Sequence, residues 1–176
     1  MSKTPAISGF THDHFFLSNF FPCEIEYEGE IYPSTENAFQ AAKSPFGFRA
    51  RFQGCSPREA RRLGRETPMP LRSLEVWDAG RRVEVMLEVN MSKFLSHKDL
   101  GDRLLGTGDA LLEEANDWGD AYWGTVDGEG FNMLGRILME IREYIRSSWK
   151  GNPPSRVEIS LIVDRLLRVL AAKTRG

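Results

Sequence analysis

The chain has 176 residues, a formal net charge of −2 and a sequence pI of about 6.0, which favour one compact domain and do not indicate a general nucleic-acid binder. Its two cysteines, Cys23 and Cys55, are far apart and lack CxxC spacing, so we expect neither a disulfide framework nor a metal site. No apolar run approaches membrane-spanning length, and we expect a cytoplasmic protein without membrane contacts.

The N-terminal third of the chain predicts a small β-hairpin followed by a helix. Residues 24–27 alternate polar and apolar side chains, the next two residues offer a tight turn, and residues 30–32 return. Pro33 is expected to end the hairpin. Ser34 then caps a helix that stops before Pro45.

This first helix carries a line of polar residues. Glu36, Gln40 and Lys43 are spaced i, i+4 and i+7, so a helix places all three on one face. A carboxylate, an amide and an ammonium on one element suit a partly buried polar site. The competing interpretation is an exposed carboxylate at a helix N-terminus, which is the commoner case when the residues alone are considered.

Three helices are predicted in the middle of the chain. A capping box with proline at the first position predicts a helix over residues 56–65. Apolar residues at helical spacing predict one long amphipathic helix over residues 74–95. A shorter helix is expected to begin at Ser96, with Asp99 at its third position, and to stop at residue 106 or 108.

The rest of the chain predicts a strand, a loop and two helices. Residues 110–115 favour a strand, and residues 116–131, rich in Gly, Asp and aromatic side chains, predict an ordered loop of the kind that carries function. A core-facing helix follows over residues 134–145. A capping box at residues 155–158 begins a final helix with a wide apolar stripe.

The final helix divides the predicted organisation in two. We expect a domain over residues 1–149, followed over residues 150–176 by a proline-broken linker and an amphipathic helix. The apolar stripe of that helix must be buried, either by docking on the domain or in a homo-oligomer contact.

Charge is distributed unevenly. Between residues 43 and 72 there are eight basic residues and two acidic ones, whereas between residues 99 and 129 there are nine acidic residues and Arg103. Such runs are usually solvated faces. The sharper hypothesis is that the basic segment meets phosphate groups and the acidic one supplies carboxylates to a site. The three histidines lack metal-ligand spacing, so we expect no metal and no cofactor.

Several dispersed motifs together resemble the NADAR family. In chain order they are Phe16-Leu-Ser-Asn-Phe20, Tyr32-Pro-Ser-Thr-Glu-Asn-Ala-Phe-Gln-Ala-Ala-Lys43, Gly64-Arg65, Trp77-Asp78 with Arg81, Lys93-Phe94, Leu105-Gly-Thr-Gly108, Asp120-Ala-Tyr-Trp-Gly124, Gly130-Phe-Asn132 and Leu134-Gly135. The resemblance covers residues 15–142, and the helix after Pro154 lies outside it. The chain departs from the family pattern at Asn37, where many members have His, and at Phe39, where many have Tyr.

The resemblance implies a compact, helix-rich α+β domain and an N-glycoside hydrolase. The family's substrate classes are phosphoribosylamino-pyrimidine intermediates of riboflavin synthesis and ADP-ribose attached to nucleobases. The positions that match the family's active site are Glu36, Trp77, Asp120 and Trp123, with Asn19, Lys43 and Asn132 in support. The departures at Asn37 and Phe39 imply that a nearby proton relay is missing.

Chemistry assigns roles to these positions. Cleavage of an N-glycosidic bond builds positive charge on the sugar, which a fixed carboxylate stabilises, and we predict Glu36 and Asp120 as the carboxylate pair. Lys43 has three interpretations: a salt-bridge partner, a phosphate clamp, or an amine that forms a Schiff base with the ring-opened sugar. We favour electrostatic binding of phosphate or sugar. The remaining predicted substrate-binding residues are Asn19, Gln40, Trp77, Arg81, Trp123, Gly124 and Asn132.

Three hypotheses of function follow. The first is a hydrolase that cleaves the C1′–N bond of a phosphorylated ribosyl compound, with Trp77 and Trp123 stacked on the base. Its substrate is either ADP-ribosylated guanine, in DNA or as a nucleotide, or a ribosylamino-pyrimidine phosphate. The second is a module that binds ADP-ribose or NAD-derived nucleotides without turnover. The third is a scaffold in which the polar line is structural and the tryptophans belong to the core.

Overall fold

A computed structural model of the chain describes residues 5–67, 69, 71–148 and 151–173. Its helices are α1 (Thr35–Ala42), α2 (Pro57–Glu66), α3 (Leu71–Val76), α4 (Arg82–Ser96), α5 (Lys98–Gly106), α6 (Met133–Ser147) and α7 (Arg156–Lys173). Its strands are β1 (Ala6–Ser8), β2 (Pro22–Tyr27), β3 (Glu30–Ser34) and β4 (Leu111–Glu113). The prediction of a helix-rich α+β fold is confirmed.

The predicted hairpin is formed by β2 and β3. The strands pair antiparallel, with Ile25 opposite Tyr32, and the turn residues Glu28 and Gly29 both have positive φ, at 50° and 83°. Such a turn matches the right-handed twist of the two strands. The expectation that Pro33 ends the hairpin was wrong, because β3 continues to Ser34. A two-stranded sheet leaves one side of each strand unpaired, so a proline can be accommodated there.

A second, parallel sheet joins the beginning of the chain to its middle. Strand β1 pairs with β4, and Ala6 lies opposite Leu111 while Ser8 lies opposite Glu113. The predicted strand within residues 110–115 is therefore confirmed, and its partner β1 was not predicted. This pairing fixes where the loop after β4 begins.

The long helix predicted over residues 74–95 is interrupted. One π-helical turn at Trp77–Arg81 separates α3 from α4, and Gly80 within it has φ of 139°, outside the helical range. Apolar periodicity does not reveal such a turn, since the apolar stripe resumes after it.

Helix α5 begins later than predicted. Its N-cap is His97, so Asp99 takes the second helical position and not the third.

The core is organised around α4 and α6. These two helices pack against each other, and α5 and α7 each pack against both of them. Helix α1 packs against α4. Both predicted capping boxes are confirmed, at Ser56 and at Ser155, where the serine and glutamate side chains each bond the other's backbone. Within the described ranges, no helix is long and apolar enough to cross a bilayer.

The last helix docks on the rest of the chain. Ile162, Val163 and Leu166 of α7 are buried, whereas Val157 and Leu161 remain exposed. Docking on the domain was one of the two predicted fates of its apolar stripe; the homo-oligomer contact and the division at residue 149 stay predictions. Residues 149 and 150, at that boundary, lie outside the described residues.

Candidate active site

One pocket of about 770 Å³ collects side chains from six parts of the chain. They come from the segment between β1 and β2, from α1 and the residue after it, from α2, from α4, from the loop that follows β4 and from α6. The predicted site residues that line the pocket are Asn19, Glu36, Gln40, Lys43, Asp120 and Trp123.

Glu36 is buried at the start of α1, with 7% of its surface exposed. Ser34 caps the helix by accepting the backbone N–H of Asn37, and the backbone N–H of Glu36 donates to the carbonyl of Asn19 at 3.0 Å. The side chain of Gln40 donates to Glu36 Oε1 at 2.7 Å. The carboxyl group is thus fixed by both its backbone and its neighbour on the same helical face.

Two opposing effects act on the charge of Glu36. Burial raises the pKa of this carboxyl above its ordinary value. The hydrogen bond from Gln40 and the positive charges of Arg61, Lys43 and Arg65 oppose that rise. Burial outweighs these groups, so the pKa of Glu36 stays above its ordinary value, and the nearby cations limit the rise.

The line of polar residues on α1 is completed by contact with α2. A Cβ atom added to Gly64 would overlap Gln40 Oε1 and would lie 2.8 Å from Gln40 Cδ. The glycine therefore lets α2 approach closely enough to confine the Gln40 amide. Gln40 Oε1 itself is buried and has no hydrogen-bond partner among the described residues.

Lys43 follows the last residue of α1 and is half-buried in the pocket. Its ammonium lies 5.8 Å from the centre of the Phe39 ring, and none of the ion pairs found among the described residues includes it. Burial lowers the pKa of Lys43 below its ordinary value, the negative charge of Glu36 opposes this, and Arg65 and Arg61 add to it. The salt-bridge interpretation of Lys43 finds no support in these contacts.

Asp120 is tied into the loop after β4. Its Oδ1 atom accepts the backbone N–H groups of Tyr122, at 3.2 Å, and Trp123, at 2.9 Å. Its own backbone is held by the side chain of Asn116. This is the turn-forming use of an aspartate, and it sets the position of Trp123 while the carboxylate stays on the pocket wall.

A second carboxyl group in this wall, Glu114, was missed by the sequence analysis. It lies one residue after β4 and lines the same pocket as Glu36. Burial raises its pKa to about 7; the negative charge of Asp120 adds to the effect and Arg61 opposes it. The available signal was its place next to the last residue of a predicted strand, two residues before the loop expected to carry function.

Aromatic rings form the floor of the pocket. Phe39 lies between Trp123 and Trp77, with ring centres 5.5 Å and 5.3 Å away, and Phe39 and Trp123 line the pocket. Trp77, the first residue of the π-helical turn, packs behind Phe39 and is not among the lining residues. Trp118, a further lining residue that was not predicted from the sequence, is 56% exposed.

Arginine side chains of α2 form a cationic rim. Arg58, Arg61 and Arg65 line the pocket and form none of the ion pairs found in the described part of the chain. The basic segment noted in the sequence thus places three guanidinium groups on the lining of the pocket that holds Glu36, and two of them, Arg61 and Arg65, act on its charge.

The other predicted binding residues lie outside the pocket lining. Arg81 donates to the Tyr27 hydroxyl at 2.9 Å and pairs with Glu84 at 2.8 Å. Asn132 precedes α6 and is buried; its Oδ1 accepts the backbone N–H of Glu114 and its Nδ2 donates to the Leu112 carbonyl. Asn132 therefore holds the backbone of Glu114, whereas Arg81 contacts residues outside the pocket lining.

Gly124 is required by a close backbone approach. A Cβ atom at this position would overlap the carbonyl oxygen of Glu114 and would lie 2.7 Å from Asn116 Nδ2. Gly124, like Asn132, therefore supports the backbone that presents Glu114.

Asn37, where the chain departs from the family pattern, faces away from the pocket. Its Nδ2 atom donates to the carbonyls of Phe52 and Cys55, at 2.8 Å and 2.9 Å. The residue is fully buried and ties α1 to the segment before α2.

In the described ranges, no cluster of three or more His, Cys, Asp or Glu side chains could hold a metal ion.

Comparison with known proteins gives a family and a fold. The model of the NADAR domain matches residues 8–146. A riboflavin biosynthesis protein of Vibrio vulnificus is 41% identical over 140 residues, which are 76% of this chain and 36% of that protein. The N-glycosidase YbiA of Escherichia coli is 37% identical over 136 residues, which are 76% of this chain and 82% of that protein.

A solved structure agrees with the fold. The NMR structure of the E. coli protein YbiA has a TM-score of 0.70 and 32% sequence identity, and the alignment covers 83% of this chain and 88% of that one. The chain thus spans about a third of the Vibrio protein but most of the E. coli one, and α7 lies beyond the end of the family match.

Proposed function

The chain belongs to the NADAR domain family, and from this membership and from its N-glycosidase relatives we infer that it is a hydrolase of N-glycosyl bonds. We propose that its substrate is a phosphorylated ribosyl compound and that the bond cleaved joins C1′ of the sugar to a nitrogen of a base. Two substrates fit this description: ADP-ribosylated guanine, in DNA or as a nucleotide, and a ribosylamino-pyrimidine phosphate.

The observation that carries the proposal is a buried carboxyl group in an aromatic pocket with a cationic rim. Glu36 lines a pocket of about 770 Å³ together with Phe39 and Trp123. The transition state of N-glycoside cleavage places positive charge on C1′ and the ring oxygen, so a fixed anion beside it stabilises that state more than the ground state. Aromatic rings suit a planar leaving base.

Glu36 acts on the sugar side of the bond in this proposal. As a carboxylate it stabilises the positive charge of the ring and accepts a proton from the water that attacks C1′. Gln40 fixes the carboxylate in one orientation through its 2.7 Å hydrogen bond. Burial raises the pKa of Glu36, which strengthens it as a proton acceptor, and the positive charges of Arg61, Lys43 and Arg65 oppose that rise, so Glu36 is suited to be the base.

The phosphate groups of the substrate are assigned to the cationic rim. Guanidinium groups bind phosphate oxygens through paired N–H donors, and Arg58, Arg61 and Arg65 are free of carboxylate partners within the described residues. A diphosphate, as in ADP-ribose, and a single phosphate both suit such a rim. The reversal of ADP-ribosylation and the removal of a riboflavin intermediate are therefore both compatible with the site.

Two roles remain for Lys43. As a cation it would bind the phosphate or the sugar, which we favour because it lies among the arginines of the rim. As an amine it would form a Schiff base with the ring-opened sugar. The lowered pKa of Lys43 raises the fraction of free amine that such a route requires.

The test measures release of sugar from both substrates. Wild-type protein is incubated with each compound, and mass spectrometry follows free ribose phosphate or ADP-ribose. Glu36→Gln keeps the volume of the side chain and removes its charge, so we expect kcat to fall by about 10³-fold while the melting temperature changes little. Glu75→Gln, at an exposed position of α3, is the matched control and should keep the wild-type rate.

The outcomes separate the competing functions. If the wild type releases no sugar from either compound but ADP-ribose still raises its melting temperature, the protein is a binding module. If Glu36→Gln cleaves as fast as the wild type, the hydrolase stands and the role given to Glu36 falls.

A further inference from the structure

Glu114 is a carboxyl group of the pocket that the proposed reaction does not yet use. Its side chain lines the pocket, and its Oε2 atom is buried without a hydrogen-bond partner among the described residues. An unpaired carboxylate is costly to bury, whereas a protonated carboxyl group can give its O–H to a ligand. Nothing in the fold of the described residues uses that O–H.

The backbone of Glu114 is held on both sides. Its N–H donates to Asn132 Oδ1 at 3.0 Å, and its carbonyl oxygen accepts the N–H of Thr125 at 2.9 Å. Gly124 packs directly against the same carbonyl. The position of the side chain is therefore set by the loop and by α6, and it does not depend on a salt bridge or hydrogen bond of its own carboxyl group.

Glu114 and Asp120 are used differently by the loop. Asp120 accepts two backbone N–H groups, so its Oδ1 atom is committed to the turn. The charged groups that act on Glu114 are Asp120, from the loop, and Arg61, from α2, and only the second favours ionisation. Burial and the negative charge of Asp120 together raise the pKa of Glu114 to about 7. Glu114 therefore keeps its proton up to about pH 7.

We propose that Glu114 is the general acid of the reaction, and that its Oε2–H protonates the leaving base. This inference rests on the proposed N-glycosidase function. As the C1′–N bond breaks, its electron pair moves to the base, which takes the proton from Glu114. Water adds to C1′ and gives a proton to Glu36. Exchange with solvent then returns Glu114 to its acid form and Glu36 to its carboxylate form.

The electrostatic surroundings support this division of labour. Arg61, Lys43 and Arg65 act on Glu36, whereas an acidic neighbour acts on Glu114. Burial raises both pKa values, but three cations oppose the rise at Glu36, whereas at Glu114 Asp120 adds to it and only Arg61 opposes it. A difference of this kind between two carboxyl groups suits a base and an acid. This assignment moves the second carboxyl role from Asp120, which we predicted from the sequence, to Glu114.

The test is the pH dependence of kcat on whichever compound the wild type cleaves. In the wild type, we expect kcat to fall as the pH rises through about 7, because the acid loses its proton there. Glu114→Gln preserves the shape of the side chain but cannot donate this proton. We expect its kcat to fall by about 10²- to 10³-fold at pH 6 and the alkaline decline to disappear.

The neighbouring carboxyl group provides the control. Glu113 lies on β4 and accepts hydrogen bonds from Ser8 and Thr125. Glu113→Gln should retain the wild-type alkaline decline, and Glu114→Asp should retain a weaker one. If Glu114→Gln keeps the wild-type decline, the inference is overturned although the hydrolase stands. If the wild type cleaves no N-riboside, both proposals fall.

Discussion

The pocket has two walls that present carboxyl groups beside different sets of charges. The helical wall, formed by α1 and α2, holds Glu36 among positive charges. The loop wall, formed by residues 114–124, holds Glu114 beside the negative Asp120. The charges around each carboxyl group shift its pKa, so one pocket can hold one carboxyl group suited to be a base and another suited to be an acid.

The walls also differ in what holds them. The helical wall depends on side chains, because Gln40 bonds Glu36 and packs against Gly64. The loop wall depends on the backbone: the carbonyl of Glu114 contacts Gly124 and accepts the N–H of Thr125. A side-chain amide can rotate away from an intruding atom, whereas a hydrogen-bonded carbonyl cannot. Equivalent substitutions should therefore do more damage in the loop wall.

The largest effect is expected for Gly124→Ala. Its methyl group would overlap the Glu114 carbonyl oxygen and crowd Asn116 Nδ2, so part of the loop must shift. We expect a loss of about 3 kcal/mol in the free energy of unfolding, measured by urea denaturation. Turnover should fall with it, because Glu114 and Trp123 belong to the same loop wall.

A glycine in open space provides the control for that experiment. Gly54 lies in a loop, has no heavy atom within 4 Å of an added Cβ and does not have positive φ. Gly54→Ala should leave the unfolding free energy within about 0.5 kcal/mol of the wild type. Equal losses at the two positions would contradict the view that the loop wall is rigid.

A smaller effect is expected for Gly64→Ala. The added methyl group meets the side chain of Gln40, which must leave its hydrogen bond to Glu36. We expect about 1 kcal/mol of lost stability and a fall in kcat/KM of about 10-fold, since the carboxylate loses one of its partners. Loss of this bond also raises the pKa of Glu36.

Gly106→Ala is the helical control for this substitution. Gly106 ends α5, and an added Cβ would have no heavy atom within 4 Å. Alanine should be neutral or slightly stabilising there. A wild-type kcat/KM in Gly64→Ala, measured beside this control, would show that Gln40 does not position Glu36.

The two walls were not equally predictable from the sequence. Glu36 and Gln40 share a face because helical spacing is local, and the capping residue Ser34 is read directly from the chain. The loop wall depends on the pairing of β1 with β4, which are more than a hundred residues apart in the sequence; Ser8, for example, pairs with Glu113. Local patterns carry no information about that contact, so the position of Glu114 in the pocket was not predicted.

Two further residues show the limit of periodicity. Trp77 was expected to stack on the base, but the π-helical turn places it behind Phe39. Arg81, on the same turn, is directed to Tyr27 and to acidic residues outside the pocket lining. Both outcomes follow from an inserted turn that an apolar pattern of helical period does not register. The roles of Trp77 and Arg81 in substrate binding stay predictions.

The smallest effect is expected for Arg61→Ala, which tests the electrostatic half of the comparison. Arg61 lowers the pKa values of both Glu36 and Glu114, so it acts on both walls. Its removal should raise both pKa values. If Glu36 works as the base and Glu114 as the acid, the acid limb and the alkaline limb of the pH profile should both move to higher pH. The rate at pH 7 should change by only about 2- to 5-fold, because Arg61 is one of several cations and is partly exposed to solvent.

Arg62→Ala separates this effect from a general loss of positive charge. The guanidinium of Arg62 bonds Glu66 at 2.8 Å, and Arg62 is not among the charges that act on Glu36 or Glu114. The pH profile of Arg62→Ala should match that of the wild type. This variant loses the same net charge as Arg61→Ala, but Glu36 and Glu114 both keep the charges that act on them. If Arg61→Ala moves only the acid limb, then the alkaline limb belongs to a group other than Glu114. A joint shift of both limbs, absent in Arg62→Ala, would show that one arginine acts on the base and on the acid together.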